Sequence, residues 1–145
     1  MLSREEPEMS AVPTPAAPRV DLKSPEAAAA ALRTFFNIAR RWQLTTSEQL
    51  TLLGVSRSTL YEWKAGRVKA GLDAVTLERL SYVFGIFSAL QILFPEPDRA
   101  DAWLRKPNAA PIFGGRSALE RMLAGNVGDL YAVRLYLDAQ RGGWA

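Results

Sequence analysis

The sequence predicts an all-α protein in which an N-terminal helix-turn-helix bundle is followed by a small C-terminal helical domain. Three observations support this fold class. Serine and threonine caps and glycine stops mark helix ends along the chain, apolar residues recur at helical spacing between them, and a tight Gly54-Val55-Ser56 turn separates two short helices. A hydrophobic content of 48% and a charged content of 23% are ordinary for a soluble globular protein.

The composition limits the chemistry that this chain can carry. Its 145 residues form one compact domain or two small ones that share a core. They include no cysteine, which excludes disulfides and thiolate metal sites, and no histidine, the commonest general base and metal ligand. Gly114-Gly115 lacks the lysine or strand context of a phosphate-binding loop. We therefore expect a binding protein rather than an enzyme, with no cofactor and no metal.

The N-terminal segment and the apolar runs indicate the cellular location of the protein. Residues 1–22 are rich in proline and have little apolar periodicity, which predicts a disordered leader. Glu5, Glu6 and Glu8, with no apolar segment after them, argue against a secretory signal. The longest apolar run, residues 80–94, is too short to span a bilayer comfortably. We expect a cytoplasmic protein without membrane association, and its net charge of +3 permits nucleic-acid binding.

The first helix begins at Ser24-Pro25-Glu26, where serine is the cap and proline occupies the first helical position. Its apolar face comprises Leu32, Phe35, Phe36, Ala39 and Trp42. A second helix is predicted from a Thr46 cap, with Gln49 three residues on, to about Leu53, and Gly54 ends it.

A third helix follows at once, with Ser56 as its cap, over Arg57–Lys64, and Ala65-Gly66 stops it. Two short helices joined by this tight turn are typical of a helix-turn-helix. Leu60 and Trp63 are spaced to face the core.

The polar residues of the third helix are suited to DNA. Short polar side chains at the start of a recognition helix can reach base edges in the major groove, and basic groups on the next turn can hold phosphates. The predicted DNA-binding residues are Arg57, Ser58, Thr59, Tyr61, Glu62, Lys64, Arg67 and Lys69. The alternative is a solvated basic face on a purely structural hairpin.

Residues 74–94 predict one long helix, or two joined near Gly85, with more apolar surface than one side needs. The additional apolar residues either belong to the core or form the interface of a homodimer. A homodimer is considered because a single helix-turn-helix usually needs two copies to bind a palindromic site. Pro95 and Pro97 end this helix, and Asp98 is predicted to cap a short helix to about Leu104 that packs through Trp103. The boundaries that follow are a bundle over residues 23–95 and a second domain over residues 96–145.

The last forty or so residues contain two more helices. Ser117 and Glu120 form a capping box, Leu119, Met122 and Leu123 follow as a short apolar face, and Gly125 ends the helix. Asn126 is predicted to cap a terminal helix over residues 127–140, which Gly142-Gly143 stops.

The terminal helix has two apolar stripes at about 100° per residue. Leu130, Val133 and Leu137 form one stripe, and Val127, Tyr131 and Leu135 form the other. Arg134 and Asp138 lie between the stripes at i,i+4 spacing. One interpretation is that they form a half-exposed salt pair. The other is that the helix packs on its own domain through one stripe and on a partner protein through the other.

Two stretches resemble known families. LTLLGVSRSTLYEWKAG resembles the Xre-like helix-turn-helix of bacterial and phage regulators. WLRKPNAAPIFGGRSALERMLAGNVGDLYAVRLYL resembles the toxin-binding domain of Xre/MbcA/ParS-type antitoxins. The motif positions of that domain are Trp103, Leu104, Pro107, Asn108, Gly114, Gly115, Leu119, Leu123 and Gly125.

The resemblance implies a type II antitoxin that binds a RES-domain, NAD-consuming toxin and blocks its NAD site. It also implies repression of its own operon by binding operator DNA, as a homodimer that forms a hetero-oligomer with the toxin. The residues it marks for toxin binding are Arg116, Asn126, Arg134, Asp138, Arg141, Gly142, Gly143, Trp144 and Ala145. Trp144 either inserts into the toxin or folds back on its own domain.

Two alternatives stay open. A stand-alone helix-turn-helix transcription regulator would use the C-terminal domain only for sensing or dimerisation. A structural adaptor would not touch DNA at all.

Overall fold

The structure, a computed structural model, describes residues 23–142. This part of the chain forms seven helices: α1 (Pro25–Arg41), α2 (Thr46–Leu53), α3 (Arg57–Lys64), α4 (Ala74–Leu93), α5 (Pro97–Trp103), α6 (Ala118–Met122) and α7 (Val127–Gly142). Its only β pairing, within the same residues, is an isolated bridge between Pro107 and Ser117. The all-α prediction is confirmed. The leader predicted over residues 1–22 lies outside the described residues.

Helix α1 begins as the sequence predicts. The Ser24 hydroxyl accepts a hydrogen bond from the Ala27 amide at 3.1 Å, and Pro25 occupies the first turn, where its missing N–H costs nothing. Leu32, Phe35 and Trp42 are buried against the rest of the molecule, whereas Phe36 stays half-buried at the edge of the core.

The cap of α2 is one residue earlier than predicted. Thr45, not Thr46, accepts from the Glu48 amide, and the Glu48 carboxylate accepts from the Thr45 amide in return. Gln49, the expected partner of Thr46, is instead buried and donates its amide to the Leu44 carbonyl at 3.0 Å. The cap prediction at Thr46 was wrong because Gln49 belongs to the core.

The turn between α2 and α3 agrees with prediction. Gly54 adopts φ +69°, a left-handed conformation that an L side chain rarely tolerates. The Ser56 hydroxyl then accepts from the Thr59 amide at 3.2 Å and caps α3. Leu60 is fully buried, so α3 is fixed by its inner side and leaves its polar side outside.

Helix α4 runs unbroken through Gly85 and lies at the centre of the molecule, where α1, α2, α5 and α7 pack around it. Leu80, Val83, Ile86 and Leu90 are buried in these contacts. Part of the apolar surplus of this segment is therefore used in the core of one chain, whereas Ile92 on the same helix stays 59% exposed. No helix within residues 23–142 is long and apolar enough to cross a membrane.

Helix α5 does not begin as predicted. Glu96 is its N-cap residue, without a side-chain cap bond, and Pro97 is the first helical residue. Asp98 therefore lies inside the first turn, where a carboxylate interacts favourably with the helix dipole but does not cap. Trp103 packs as predicted, with its ring 5.9 Å from that of Phe113 and 6.3 Å from that of Tyr136.

The Pro-Asn and Gly-Gly motifs meet in one tight turn. The Asn108 amide donates to the Arg116 carbonyl at 3.0 Å, and the Gly115 amide donates to the Asn108 carbonyl at 2.9 Å. Gly114 and Gly115 supply the positive φ values of +58° and +86° that close the turn. The capping box of Ser117 with α6 follows directly, as predicted.

Two arginines tie the later helices to the earlier ones. Arg79 donates to the Gly125 carbonyl at 2.9 Å and to the last carbonyls of α2 at 3.3 Å. Arg105 donates to the Trp42 and Gln43 carbonyls at 2.9 Å. These bonds satisfy carbonyls at the C-terminal ends of α1 and α2 and in the loops that follow α1 and precede α7. The buried residues form one continuous core that joins both halves of the sequence.

Candidate functional site

The first turn of α3 presents its polar side chains to solvent. Arg57 and Ser58 are exposed, Thr59 is half-buried, and Tyr61 is 49% exposed. The Arg57 guanidinium donates to the Tyr61 hydroxyl at 3.3 Å, and the hydroxyls of Ser56 and Thr59 lie 3.0 Å apart. A capped helix end of this kind, with exposed hydrogen-bonding side chains around it, is suited to contacts in a DNA major groove.

The basic residues after this turn differ in how they are paired. Arg67 forms two hydrogen bonds to the Glu62 carboxylate, both 2.9 Å long. The bond from Arg67 holds the pKa of Glu62 below its usual value. Lys69 is exposed, and Lys64 lies over the Phe36 ring, 5.8 Å from its centroid. Thus all eight predicted DNA-binding residues lie on or beside α3, but Arg67 already has an acidic partner.

The two stripes of α7 have opposite environments. Leu130, Val133 and Leu137 are buried against α4 and the core, with 0%, 0% and 1% of their surface exposed. Tyr131 and Leu135 are 47% and 48% exposed. We call the exposed stripe, with its half-buried member Val127, the outer stripe of α7. An apolar stripe that the chain itself leaves uncovered is a candidate partner surface.

Helix α4 extends the outer stripe. Tyr82 lies with its ring 5.5 Å from that of Tyr131, and its hydroxyl donates to Glu78 at 2.9 Å. This bond is the main reason why the pKa of Tyr82 is raised. The sequence analysis did not assign Tyr82 to a site, because its proximity to α7 depends on packing between residues 49 positions apart.

Arg134 and Asp138 form the ion pair that their spacing predicts, at 2.9 Å, and about a third of each side chain is exposed. The half-exposed salt pair is confirmed. The Arg134 guanidinium also lies against α4 at Gly85, where a Cβ atom would come within 1.9 Å of it. Gly85 therefore leaves room for the Arg134 side chain of α7 against α4. The sequence analysis considered Gly85 only as a possible break in the helix and did not predict this contact.

The remaining candidate toxin-binding residues are scattered. Arg116 is exposed at the Gly-Gly turn, and Arg141 and Gly142 are exposed at the end of α7. Asn126 precedes α7 and donates its side-chain amide to Asp129 at 3.1 Å, while Arg121 donates to the same carboxylate at 2.8 Å. These bonds, with Arg121 the stronger influence, lower the pKa of Asp129. Gly143, Trp144 and Ala145 lie outside the described residues.

No cluster of three or more metal-ligating side chains occurs between residues 23 and 142. Chemically, the described surfaces offer exposed hydrogen-bonding groups on α3 and an exposed apolar stripe beside an ion pair on α7.

Comparisons with known proteins match both halves of the chain. Residues 21–85 match a family model described as the antitoxin Xre-like helix-turn-helix domain. Residues 89–143 match the model described as the antitoxin Xre/MbcA/ParS C-terminal toxin-binding domain. The chain is also 53% identical to the uncharacterized protein y4oB of Sinorhizobium fredii over 117 residues, which cover 79% of this chain and 86% of that protein.

Proposed function

Since the chain belongs to the Xre/MbcA/ParS family of antitoxins, we propose that it neutralises a RES-domain toxin by covering the toxin's NAD site. The family supplies a toxin-binding domain and a helix-turn-helix. Beyond the family, we propose the toxin class, the blocked NAD site and control of the operon.

The observation that carries the proposal is the outer stripe of α7. Its exposed Tyr131 and Leu135 lie within the toxin-binding domain, and the Arg134–Asp138 pair runs beside them. Interfaces commonly combine an apolar centre containing tyrosine with a polar rim, and a few central residues carry most of the binding energy. The outer stripe supports a contact of this kind with the toxin.

The end of the chain supplies a second contact in the proposal. Helix α7 ends at Gly142, and Gly143-Trp144-Ala145 continue beyond it. We assign Trp144 to an apolar slot in or beside the toxin's NAD site, since aromatic anchors dominate many interfaces. Arg141, exposed in the last turn of α7, is assigned to an acidic residue of the toxin.

The helix-turn-helix supports the second half of the proposal, in which a homodimer binds the operator of its own operon. The exposed first turn of α3 provides the donors and acceptors that base readout needs. Two copies are required for a palindromic site. Because α3 and the outer stripe of α7 are different surfaces, a toxin-bound antitoxin is expected to retain access to DNA.

A rescue experiment tests the toxin part. The product of the neighbouring gene is expressed in a growth-arrest assay, alone, with the full chain, and with a chain ending at Gly142, while cellular NAD is measured. We expect arrest and NAD loss with the neighbour alone, rescue by the full chain, and weaker rescue by the shortened chain.

The outcomes separate the parts of this proposal. If both forms rescue growth equally, residues 143–145 are not part of the inhibitory contact, and the outer stripe of α7 remains as the proposed contact. Arrest without NAD loss contradicts the RES-toxin assignment. A harmless neighbour makes the stand-alone transcription regulator the leading interpretation.

A further inference from the structure

A basic groove is lined by α1, the loop after it and Gln49 of α2, and it reaches α3 at Lys64. Of the predicted DNA-binding residues, Lys64 alone lines this groove. The groove encloses about 600 Å³, and Phe36 forms part of its apolar wall. Its polar lining includes Arg33, Asn37, Arg40, Gln43 and Lys64. Among the described residues that line it there are three cations and no carboxylate.

The groove is built by the spacing of α1. Arg33, Asn37 and Arg40 stand at i, i+4 and i+7, so they share one face of the helix. Arg40 donates to the Asn37 side chain, a neutral acceptor. Within residues 23–142, no ion pair neutralises Arg33, Arg40 or Lys64. Unneutralised cations close together create a positive potential that favours an anion.

The opposite side of α3 provides a contrast. A cavity of about 540 Å³ there is lined by Arg67 and Lys69, but also by Glu62 and Asp73. Its two cations are matched by two carboxylates, and Arg67 is already bonded to Glu62. The charges of the lining residues therefore favour an anion more in the α1 groove, which includes the predicted Lys64, than beside Arg67 and Lys69.

The groove has the correct position relative to the base-reading surface. Lys64 follows Arg57 by seven residues, which returns it to within about 20° of the same direction around α3. Arg57, Tyr61 and Lys64 thus form one line along the helix, and Lys64 also lines the groove. A helix in the major groove is flanked by phosphate backbones, so a cationic groove beside it faces one of them.

We propose that Arg33 and Arg40 bind the backbone phosphates of the DNA strand that flanks α3, and that this groove, more than Arg67, sets the position of the helix on the duplex. This inference rests on the proposed DNA-binding function and specifies which side of α3 holds the strand. Arg33 and Arg40 position the protein, whereas the first turn of α3 reads bases.

The test compares the full chain with the R33A/R40A variant by fluorescence anisotropy across a range of salt concentrations. Two duplexes of equal length serve as probes: the region upstream of the chain's own gene and a random sequence. The control is Arg99→Ala, which removes one exposed arginine from α5 without touching the groove. Circular dichroism melting checks that each variant is folded.

Because the proposed DNA-bound form is a homodimer, R33A/R40A removes four phosphate contacts, and we expect the slope of log K against log salt to lose about 3.6 in magnitude, at roughly 0.9 for each contact. At about 0.1 M salt the affinity should fall roughly tenfold for each arginine. The loss should be the same factor on both duplexes, because phosphate contacts carry no sequence information. The Arg99→Ala slope should match that of the unmodified chain.

The two levels of the proposal fail differently. If the unmodified chain binds neither duplex, the DNA-binding function and this inference both fall. If it binds DNA but R33A/R40A keeps the slope of Arg99→Ala, only this inference is overturned. A loss confined to the upstream duplex also contradicts it, because the arginines would then be reading bases.

Discussion

The two stripes of α7 use similar residues for opposite purposes. Leu137 is 1% exposed and Leu135, two positions earlier on the same helix, is 48% exposed. The inner stripe is covered by α4 and the core of the same chain, whereas the outer stripe is left for solvent or a partner. Burial, not residue type, therefore separates the residues that stabilise the fold from those available for binding.

Truncating the inner stripe should destabilise the protein most. Leu130→Ala or Leu137→Ala leaves a cavity in a region where both side chains are fully buried. We expect a loss of about 2–5 kcal/mol in the free energy of unfolding. Urea denaturation followed by circular dichroism measures it. A loss below about 1 kcal/mol would mean that α7 packs less tightly than its contacts with α4 indicate.

Adding a methyl group at the contact between α4 and α7 should have a smaller effect. In Gly85→Ala the new Cβ displaces the Arg134 guanidinium, which lies 1.9 Å from that position. The matched control is Gly128→Ala in α7, where a Cβ meets nothing within 4 Å. Relative to that control, we expect Gly85→Ala to lower the free energy of unfolding by about 1 kcal/mol or less, because the group it displaces is the end of a flexible arginine side chain.

A double-mutant cycle identifies the cause. In an Arg134→Ala background the clash is absent, so Gly85→Ala should become neutral or stabilising. If Gly85→Ala is equally harmful in both backgrounds, the close approach of Arg134 is not the reason.

The start of α7 should respond to pH. Arg121 lies 2.8 Å from Asp129 and lowers the pKa of that carboxyl. A depressed pKa stabilises the fold above the unfolded carboxyl pKa of about 3.9 and stops doing so as pH falls through the lower, folded value. Asp129→Asn should therefore cost about 1 kcal/mol near pH 7 and progressively less below about pH 4. Urea denaturation of both proteins, from pH 7 down to the lowest pH at which they remain folded, measures this difference. A loss of unfolding free energy that does not change with pH would contradict the pairing of Arg121 with Asp129.

Sequence patterns predicted the local features of this fold well. The Ser56 and Ser117 caps and the left-handed Gly54 depend only on neighbours a few residues away. The cap of α2 was predicted at Thr46 instead of Thr45 because each threonine has a suitable partner three residues later, Gln49 or Glu48. Only the structure shows that Gln49 is buried and bonded to the Leu44 carbonyl. Asp98 was misplaced for a similar reason, since Pro97 begins α5 before it.

Contacts between distant residues could not be predicted. Arg79 and Arg105 bond to carbonyls 27 to 63 positions away, and such pairings follow from helix packing rather than from a local pattern. The candidate sites show the same limit. The polar residues of α3 were found from their spacing, but the Glu62 bonds of Arg67 and the basic groove of α1 required the positions of α1 and α3.

Truncating the outer stripe should hardly change stability and should act on the partner instead. The Y131A/L135A variant removes two half-exposed side chains, so its free energy of unfolding should change by about 1 kcal/mol or less. Ile92→Ala is the matched control, because Ile92 is an exposed apolar residue of α4, 59% accessible, outside the stripe.

The most direct measurement is the affinity of these two variants and the unmodified chain for the purified product of the neighbouring gene, by isothermal titration calorimetry. If the outer stripe binds the toxin, Y131A/L135A should weaken binding by about 30-fold or more, the effect of losing a central interface residue, while Ile92→Ala leaves it unchanged. Equal affinity for all three proteins, with the folds intact, would contradict the assignment of the outer stripe to the toxin.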